Sequence, residues 1–392
     1  MTVDPKPLHQ LDELPTPSLL LRRDVLDRNC QAMKKRADEL GVALRPHMKT
    51  AKSGIVARLA ATDQVGGITV STLAEAVYFF DEGFRDMTYA VGITPQKLPA
   101  VAALMARGAQ LSLLTDNLGV IDLLSAKAEE IGGDVTFTLL IEIDSGGRRG
   151  GVSLEGADLL ALGQAITMAP GLKLGGVLVH AGHSYGCETI EQIQKVAEEE
   201  RAAAVMAAAC LRNEGLTCDV VSVGSTPTAV HAKSLEGVTE MRPGVYVLGD
   251  LAQVDLGSLC HDDLAVAVWA TVVGHNRQAD RILIDAGGLA LSKDQSAARR
   301  TENLGYGLLC APDGDRGFTL REDRLYVADV HQEHGLVAAP PGLELPYADL
   351  PVGARVAVLP NHVCMTAAAH GGYHVIDAQG RVEDYWPRCT GW

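Results

Sequence analysis

None of the eight cysteines, at positions 30, 187, 210, 218, 260, 310, 364 and 389, forms a C-x-x-C pair. Their scatter reads as reduced thiols in a cytosol. No apolar stretch is long enough to span a bilayer. The N-terminal MTVDPKPLHQLDELPTP puts prolines and acids where a secretion signal needs a basic start and an apolar run. A cytoplasmic protein with no membrane partner is therefore expected. Positive charge is scarce, with 34 Lys and Arg against 49 Asp and Glu and a net charge of −15. A nucleic-acid backbone is repelled overall, while one locally basic pocket for a small anion stays open.

The 392 residues are 47% hydrophobic and 21% charged, the balance of a chain that buries a large core. From residue 42 apolar runs alternate with helix-like segments. The runs are VALRPHMK (42–49), GITVST (67–72), DMTYAVGI (86–93), AQLSLLTD (109–116), VTFTLLIEID (135–144), KLGGVLVHAG (173–182), CDVVSVGST (218–226) and EMRPGVYVLG (240–249). Eight such runs predict an α/β fold, a (β/α)8 TIM-like barrel over residues 24–260. A doubly wound sheet is the competing reading, and the absence of a G-x-G-x-x-G turn after a first strand stands against it. Beyond residue 260 come short β-rich runs parted by Gly, Pro and Asp: LAVAVWATVVGH, DRILIDAGG, RLYVADVHQEHG and ARVAVLPNHVC. They predict a C-terminal β domain over 261–392, completed by residues 1–23, whose run TPSLLLRR has no βα partner.

Barrel enzymes carry their working residues at the C-terminal ends of the strands. Lys49 ends the first run, where an ammonium entering an apolar barrel mouth loses hydration, which favours the free amine that a Schiff base needs. A strand-end lysine also simply meets solvent. The seventh run ends in VGSTPT and the eighth carries RPGVY, so Gly224, Ser225, Thr226, Gly244 and Tyr246 offer a phosphate cradle, though each is also an ordinary turn residue. A Schiff-base lysine facing a phosphate cradle describes pyridoxal 5'-phosphate. The fifth run ends in EIDSGGRRGGV, and either Arg148 or Arg149 suits the pyridoxal 3-oxygen. HAGHSYG, after the sixth, offers His180, His183 and Tyr185 as cofactor contacts or as structural hydrogen bonders. In NHVCMT, an extended chain projects His362 and Cys364 from one face, an imidazole and a thiolate for one metal ion. The commoner outcome for such a pair is a buried cysteine beside a satisfied histidine. Cys260-His261 is a rival whose side chains point to opposite faces.

Together these residues resemble the D-serine dehydratase and D-threonine aldolase family, whose barrel is alanine racemase-like, along nearly the whole chain: TPSLLL, RPHMKT, TVSTLAEA, HAGHSYG, VGSTPT, QEHG and LPNHVCMT. The resemblance implies Lys49 as the Schiff-base lysine, Arg149 as the cofactor-facing arginine, and His362 with Cys364 as the metal pair. It is closest to the dehydratases, which show H-x-C where the aldolases show H-x-D. Ala51 departs from relatives that carry histidine after K-T. The implied enzyme is a PLP- and divalent-metal-dependent dehydratase acting on a small D-3-hydroxy amino acid, D-threo-3-hydroxyaspartate or D-serine. Its metal is expected to be zinc, with manganese and magnesium as alternatives, and its assembly a homodimer. Retro-aldol cleavage is the rival reaction. Racemisation needs a second base that the sequence does not reveal. A non-catalytic PLP carrier resembles the barrel alone and lacks the H-x-C domain.

Overall fold

Eight parallel strands form one sheet: Ala43–Leu44, Ile68–Val70, Asp86–Gly92, Gln110–Thr115, Phe137–Ile143, Leu172–Val179, Val220–Val223 and Glu240–Met241. This is a computed structural model, and it describes residues 10–61, 67–133, 135–146, 149–154, 157–296 and 303–392. The last strand pairs in parallel with the first, Leu44 opposite Met241, and beyond the first strand His47 bridges Thr69. Met48 N–H donates to Thr69 O at 2.9 Å and Thr69 N–H to Pro46 O at 2.9 Å. The sheet thus closes on itself as the (β/α)8 reading expects, and the doubly wound alternative falls. The strands are buried, Val70, Leu113, Leu139, Ile141, Val177 and Val221 all being inaccessible, as a parallel sheet covered on both faces requires.

The helices between the strands follow their sequence signals. Thr72 and Thr189 cap the helices Leu73–Asp81 and Ile190–Asn213 by accepting from Glu75 N–H and Gln192 N–H. The second of these helices buries Ile193, Val196, Ala197, Glu200, Ala203, Ala204, Ala207, Ala208 and Leu211. That is a stripe of helical period lined by small residues, with one carboxylate in it.

By internal packing the chain divides into two units, residues 32–244 with 391–392, and residues 1–31 with 245–390. The change of sequence texture put the boundary near 260. Leu251, Ala252 and Leu264 pack with Leu14, Leu20, Trp269, Leu308 and Phe318, so the segment after Gly244 joins the β unit's core. The eighth apolar run is correspondingly shorter as a strand than expected. It stops at Met241, Pro243 lacks the N–H to continue a ladder, and Val245–Val247 turn as a 3-10 helix.

The second unit is one mainly antiparallel sheet. Its strands Arg281–Ile284, Gly335–Ala338, Tyr326–Val330, Gly307–Asp313, Arg355–Pro360 and Val266–Asn276 follow one another, and the last pairs back onto the first. Ser18–Arg22 lies against Val266–Asn276 with Leu19 opposite Val268, and Gly372–Ile376 and Val382–Pro387 extend that edge. Among the described residues no helix is long and apolar enough to cross a membrane.

Candidate active site

In the barrel unit, positive groups gather around two imidazoles. Lys49 stands in the turn after the closing bridge, and its backbone N–H donates to His47 Nδ1 at 3.4 Å. Burial, then Lys49, Arg149 and Arg242, push the protonation of His180 down to about 3, and burial with the same cations holds His47 well below the ordinary histidine range. Both rings are therefore neutral at neutral pH. Lys49 itself is exposed, which corrects the expectation that the barrel mouth alone strips its hydration.

The neutral histidines have a consequence for acid stability. Between about 3 and the ordinary 6.5, His180 binds fewer protons in the folded chain than in the unfolded one. Its contribution is therefore intact above 6.5 and is lost as pH falls below it. In urea unfolding of the cofactor-free chain, the midpoint is expected to drop between about pH 7.5 and about pH 5, and His180→Gln is expected to shrink that drop. An undiminished drop in the variant would contradict this assignment.

The phosphate-cradle residues sit side by side. Gly224 adopts φ 117°, and a Cβ there would meet Arg242 N at 3.0 Å. Ser225 caps the short helix Thr226–His231 in a capping box with Thr228, and its hydroxyl lies 3.0 Å from that of Ser184. His180 Nδ1 is 3.4 Å from Gly224 O. A Cβ on Gly244 would meet His47 O at 2.7 Å. A branched residue at 244 therefore presses first on the chain just ahead of Lys49, and blocking of an anion is not the only reason for glycine there. Tyr246 lies beyond the barrel unit, buried in the Val245–Val247 turn with its phenol pushed up by burial. Tyr185 is exposed in the turn Gly182–Gly186.

Arg149 is exposed and donates to Glu142 Oε1 at 3.1 Å. Its loop is tied to the end of the fifth strand by Val152 N–H to Glu142 O at 2.8 Å, and Gly151 N–H donates to Asp116 Oδ2 at 2.8 Å. Arg148 lies outside the described residues.

Two buried residues escaped the sequence reading. Arg242 donates to Ser222 Oγ at 2.5 Å and to Val179 O at 2.6 Å, and burial lowers its affinity for a proton to about 10. Glu200 accepts from Ala181 N–H at 2.8 Å and Gly224 N–H at 3.1 Å, so one carboxylate joins the loops after the sixth and seventh strands. Burial raises its affinity for a proton. Nothing in the sequence marks Glu200, which stands among the charged residues 198–201. For Arg242 only the neighbouring glycine drew notice.

In the β unit the strand ends at Pro360, and His362 stands at the N-cap position of the helix Val363–Ala368 without a side-chain capping bond. This corrects the expectation of an extended His-x-Cys. The two side chains still meet, because Cys364 lies in the helix's first turn and its thiol hydrogen-bonds the imidazole. His362 Nδ1 is 2.6 Å from Asp294 Oδ2. Burial opposes a charge on this ring, but the bond to Cys364, the charges of Cys364 and Asp250 and the bond to Asp294 outweigh it and raise its protonation to about 10. A metal ion must displace that proton to bind. The donor set, an imidazole and a thiol with carboxylates behind them, fits a borderline-soft divalent ion. Among the described residues no three of His, Cys, Asp and Glu are grouped to hold one; were His362 and Cys364 the protein donors, coordination positions would remain for substrate or water. Cys260, the rival, donates to Asp263 Oδ2 at 3.0 Å instead.

In the barrel unit the fit to pyridoxal phosphate rests on three cations facing neutral imidazoles, an environment made for an anion, beside close backbone at Gly224.

Residues 21–252 match the model for alanine racemase, N-terminal domain, and residues 265–376 match that for a putative serine dehydratase domain. The chain is 42% identical over 386 residues to the D-threo-3-hydroxyaspartate dehydratase of Delftia sp. (strain HT23), covering 97% of this chain and 98% of that one. It is 29% identical to the D-serine dehydratase of Dictyostelium discoideum, covering 95% and 96%. Among solved structures, a cysteine-to-alanine mutant of D-threo-3-hydroxyaspartate dehydratase in the metal-free form superposes with a TM-score of 0.91 at 41% identity, covering 98% of this chain and 100% of that one. The chain belongs to the family that joins an alanine racemase N-terminal domain to a serine dehydratase domain.

Proposed function

We propose that this chain is a dehydratase that eliminates the β-hydroxyl of a D-3-hydroxy amino acid, D-threo-3-hydroxyaspartate before D-serine, and releases a 2-oxo acid and ammonia. The observation that carries the reading is Lys49 in the turn after the first barrel strand, among Arg149, Arg242 and two imidazoles held neutral. The 42% identity to a D-threo-3-hydroxyaspartate dehydratase supports the substrate.

When bound, pyridoxal phosphate takes up the electron pair left at the α-carbon, and a divalent ion takes up the charge of the departing hydroxide. Lys49 would hold the cofactor's aldehyde, and its Nζ would serve as the base for the α-proton. The backbone and hydroxyls of Gly224, Ser225, Thr226 and Gly244 receive the phosphate, with Tyr246 beside them in sequence. Arg149, bonded to Glu142 here, would be the arginine for the ring oxygen. Neutral His180 and Tyr185 contact the cofactor, the first adding no charge. His362 and Cys364 bind the ion, for which zinc suits an imidazole and a thiolate. The working unit is a homodimer.

A product assay tests the reading. With D-serine, D-threonine and both diastereomers of 3-hydroxyaspartate, the expected products are ammonia and a 2-oxo acid, fastest from a 3-hydroxyaspartate. Glycine and an aldehyde as the main products would make the enzyme an aldolase and overturn it.

A further inference from the structure

We infer that Asp294 is the positioning residue of the metal pair. Its carboxylate holds the His362 ring through Nδ1, so that Nε2 is the nitrogen presented to the ion. The inference rests on reading His362 and Cys364 as metal donors.

The two carboxylates near His362 divide the task. Asp250 spends its oxygens on backbone, accepting from Gln253 N–H at 3.0 Å and from Val363 N–H at 2.9 Å, and so fixes the chain on which His362 and Cys364 stand. Asp294 reaches the ring itself, with Oδ2 2.6 Å from Nδ1. Ser296 Oγ donates to Asp294 Oδ1 at 3.1 Å and lies 3.2 Å from the same Nδ1. An imidazole whose Nδ1–H donates to a carboxylate is held in one tautomer and orientation, and its other nitrogen becomes a better ligand.

The segment that delivers Asp294 is itself anchored. Ser292, at φ 70°, takes a left-handed conformation unusual for a residue with a side chain, and its hydroxyl accepts from Asp294 N–H at 2.9 Å. From the helix that carries Cys364, Thr366 Oγ1 donates to Leu291 O at 2.8 Å. Just past that helix, His370 Nε2 donates to Ala290 O at 3.0 Å. These bonds hold the Asp294 segment and the donor helix in register, as orientation of a ligand requires.

The test is zinc affinity of the whole enzyme, stripped with a chelator and titrated against a chromophoric competitor. Asp294→Ala is expected to weaken zinc binding by about 10- to 100-fold, and Asp294→Asn, which keeps a bond to the ring without the charge, by a smaller but measurable factor. With cobalt in place of zinc, the visible ligand-field spectrum of loaded Asp294→Ala is expected to shift, which a merely structural role would not produce. Cys364→Ala is the reference. If it loses zinc while Asp294→Ala keeps wild-type affinity and cobalt spectrum, the positioning role is overturned and the metal pair stands. Should Cys364→Ala also bind at wild-type strength, the ion sits elsewhere and both readings fall. If Asp294→Ala does not fold, Asp294→Asn decides, since wild-type affinity with an unshifted spectrum overturns the inference.

Discussion

Lys49→Ala is expected to abolish the visible absorption of the purified, cofactor-loaded protein and to cut ammonia release on the order of 10³-fold or more, because both covalent attachment and the base are lost. The neighbouring amine does not substitute. Lys52 Nζ is tied to Glu75 Oε1 at 3.1 Å, and Glu75 is inaccessible and held also by Ser71 N–H and Oγ at 2.8 Å each. Its ammonium is therefore committed to a buried carboxylate, and freeing it leaves that carboxylate unpaired. Borohydride reduction followed by peptide mapping checks the assignment. A label on Lys52 or on any lysine other than Lys49 would contradict it.

The barrel was legible because each of its strands is an apolar run set off by a helical segment, and burial of a parallel sheet on both faces writes that pattern directly into sequence. Its weakest strands, Ala43–Leu44 and Glu240–Met241, hold only a short ladder. There the apolar runs continue into turns that apolar character alone does not distinguish from strand. Local chemistry was harder to read. His362 and Cys364 looked like strand neighbours because i and i+2 share a face in extended chain, yet they meet because one stands at a helix's N-cap position and the other in its first turn. Composition did not separate these two geometries, which bring the same side chains together. Asp294 was invisible from sequence, since it reaches His362 from a segment distant in the chain. Glu200 and Arg242 are buried and hydrogen-bonded, a property of packing that the linear sequence does not mark, Glu200 standing there among the charged residues 198–201.

The acidic balance of the chain, −15 overall, and the cationic cluster in the barrel unit are compatible, because the cations are local. Arg45 is spent on Glu240 at 2.7 Å and on Asp86 at 2.9 Å, and Lys52 on Glu75. After burial, Lys49, Arg149 and Arg242 are the cations that hold His47 and His180 neutral, although Arg149 is itself paired with Glu142. A dianionic phosphate or a substrate carboxylate would be attracted by that field.

Hydroxide is expected to depart only when an ion is held by His362 and Cys364, whereas Lys49 is expected to labilise the α-proton without it. The direct measurement follows two signals on one substrate, ammonia release and exchange of the α-proton with deuterated solvent, before and after chelation and in Cys364→Ala. Ammonia release is expected to fall on the order of 100-fold or more, because losing the charge stabilisation of the leaving group removes several kcal/mol from the barrier reduction. The visible absorption due to Lys49 should survive, and α-proton exchange should persist. A metal-free preparation that releases ammonia at the full rate would show His362 and Cys364 to be structural and would contradict the account.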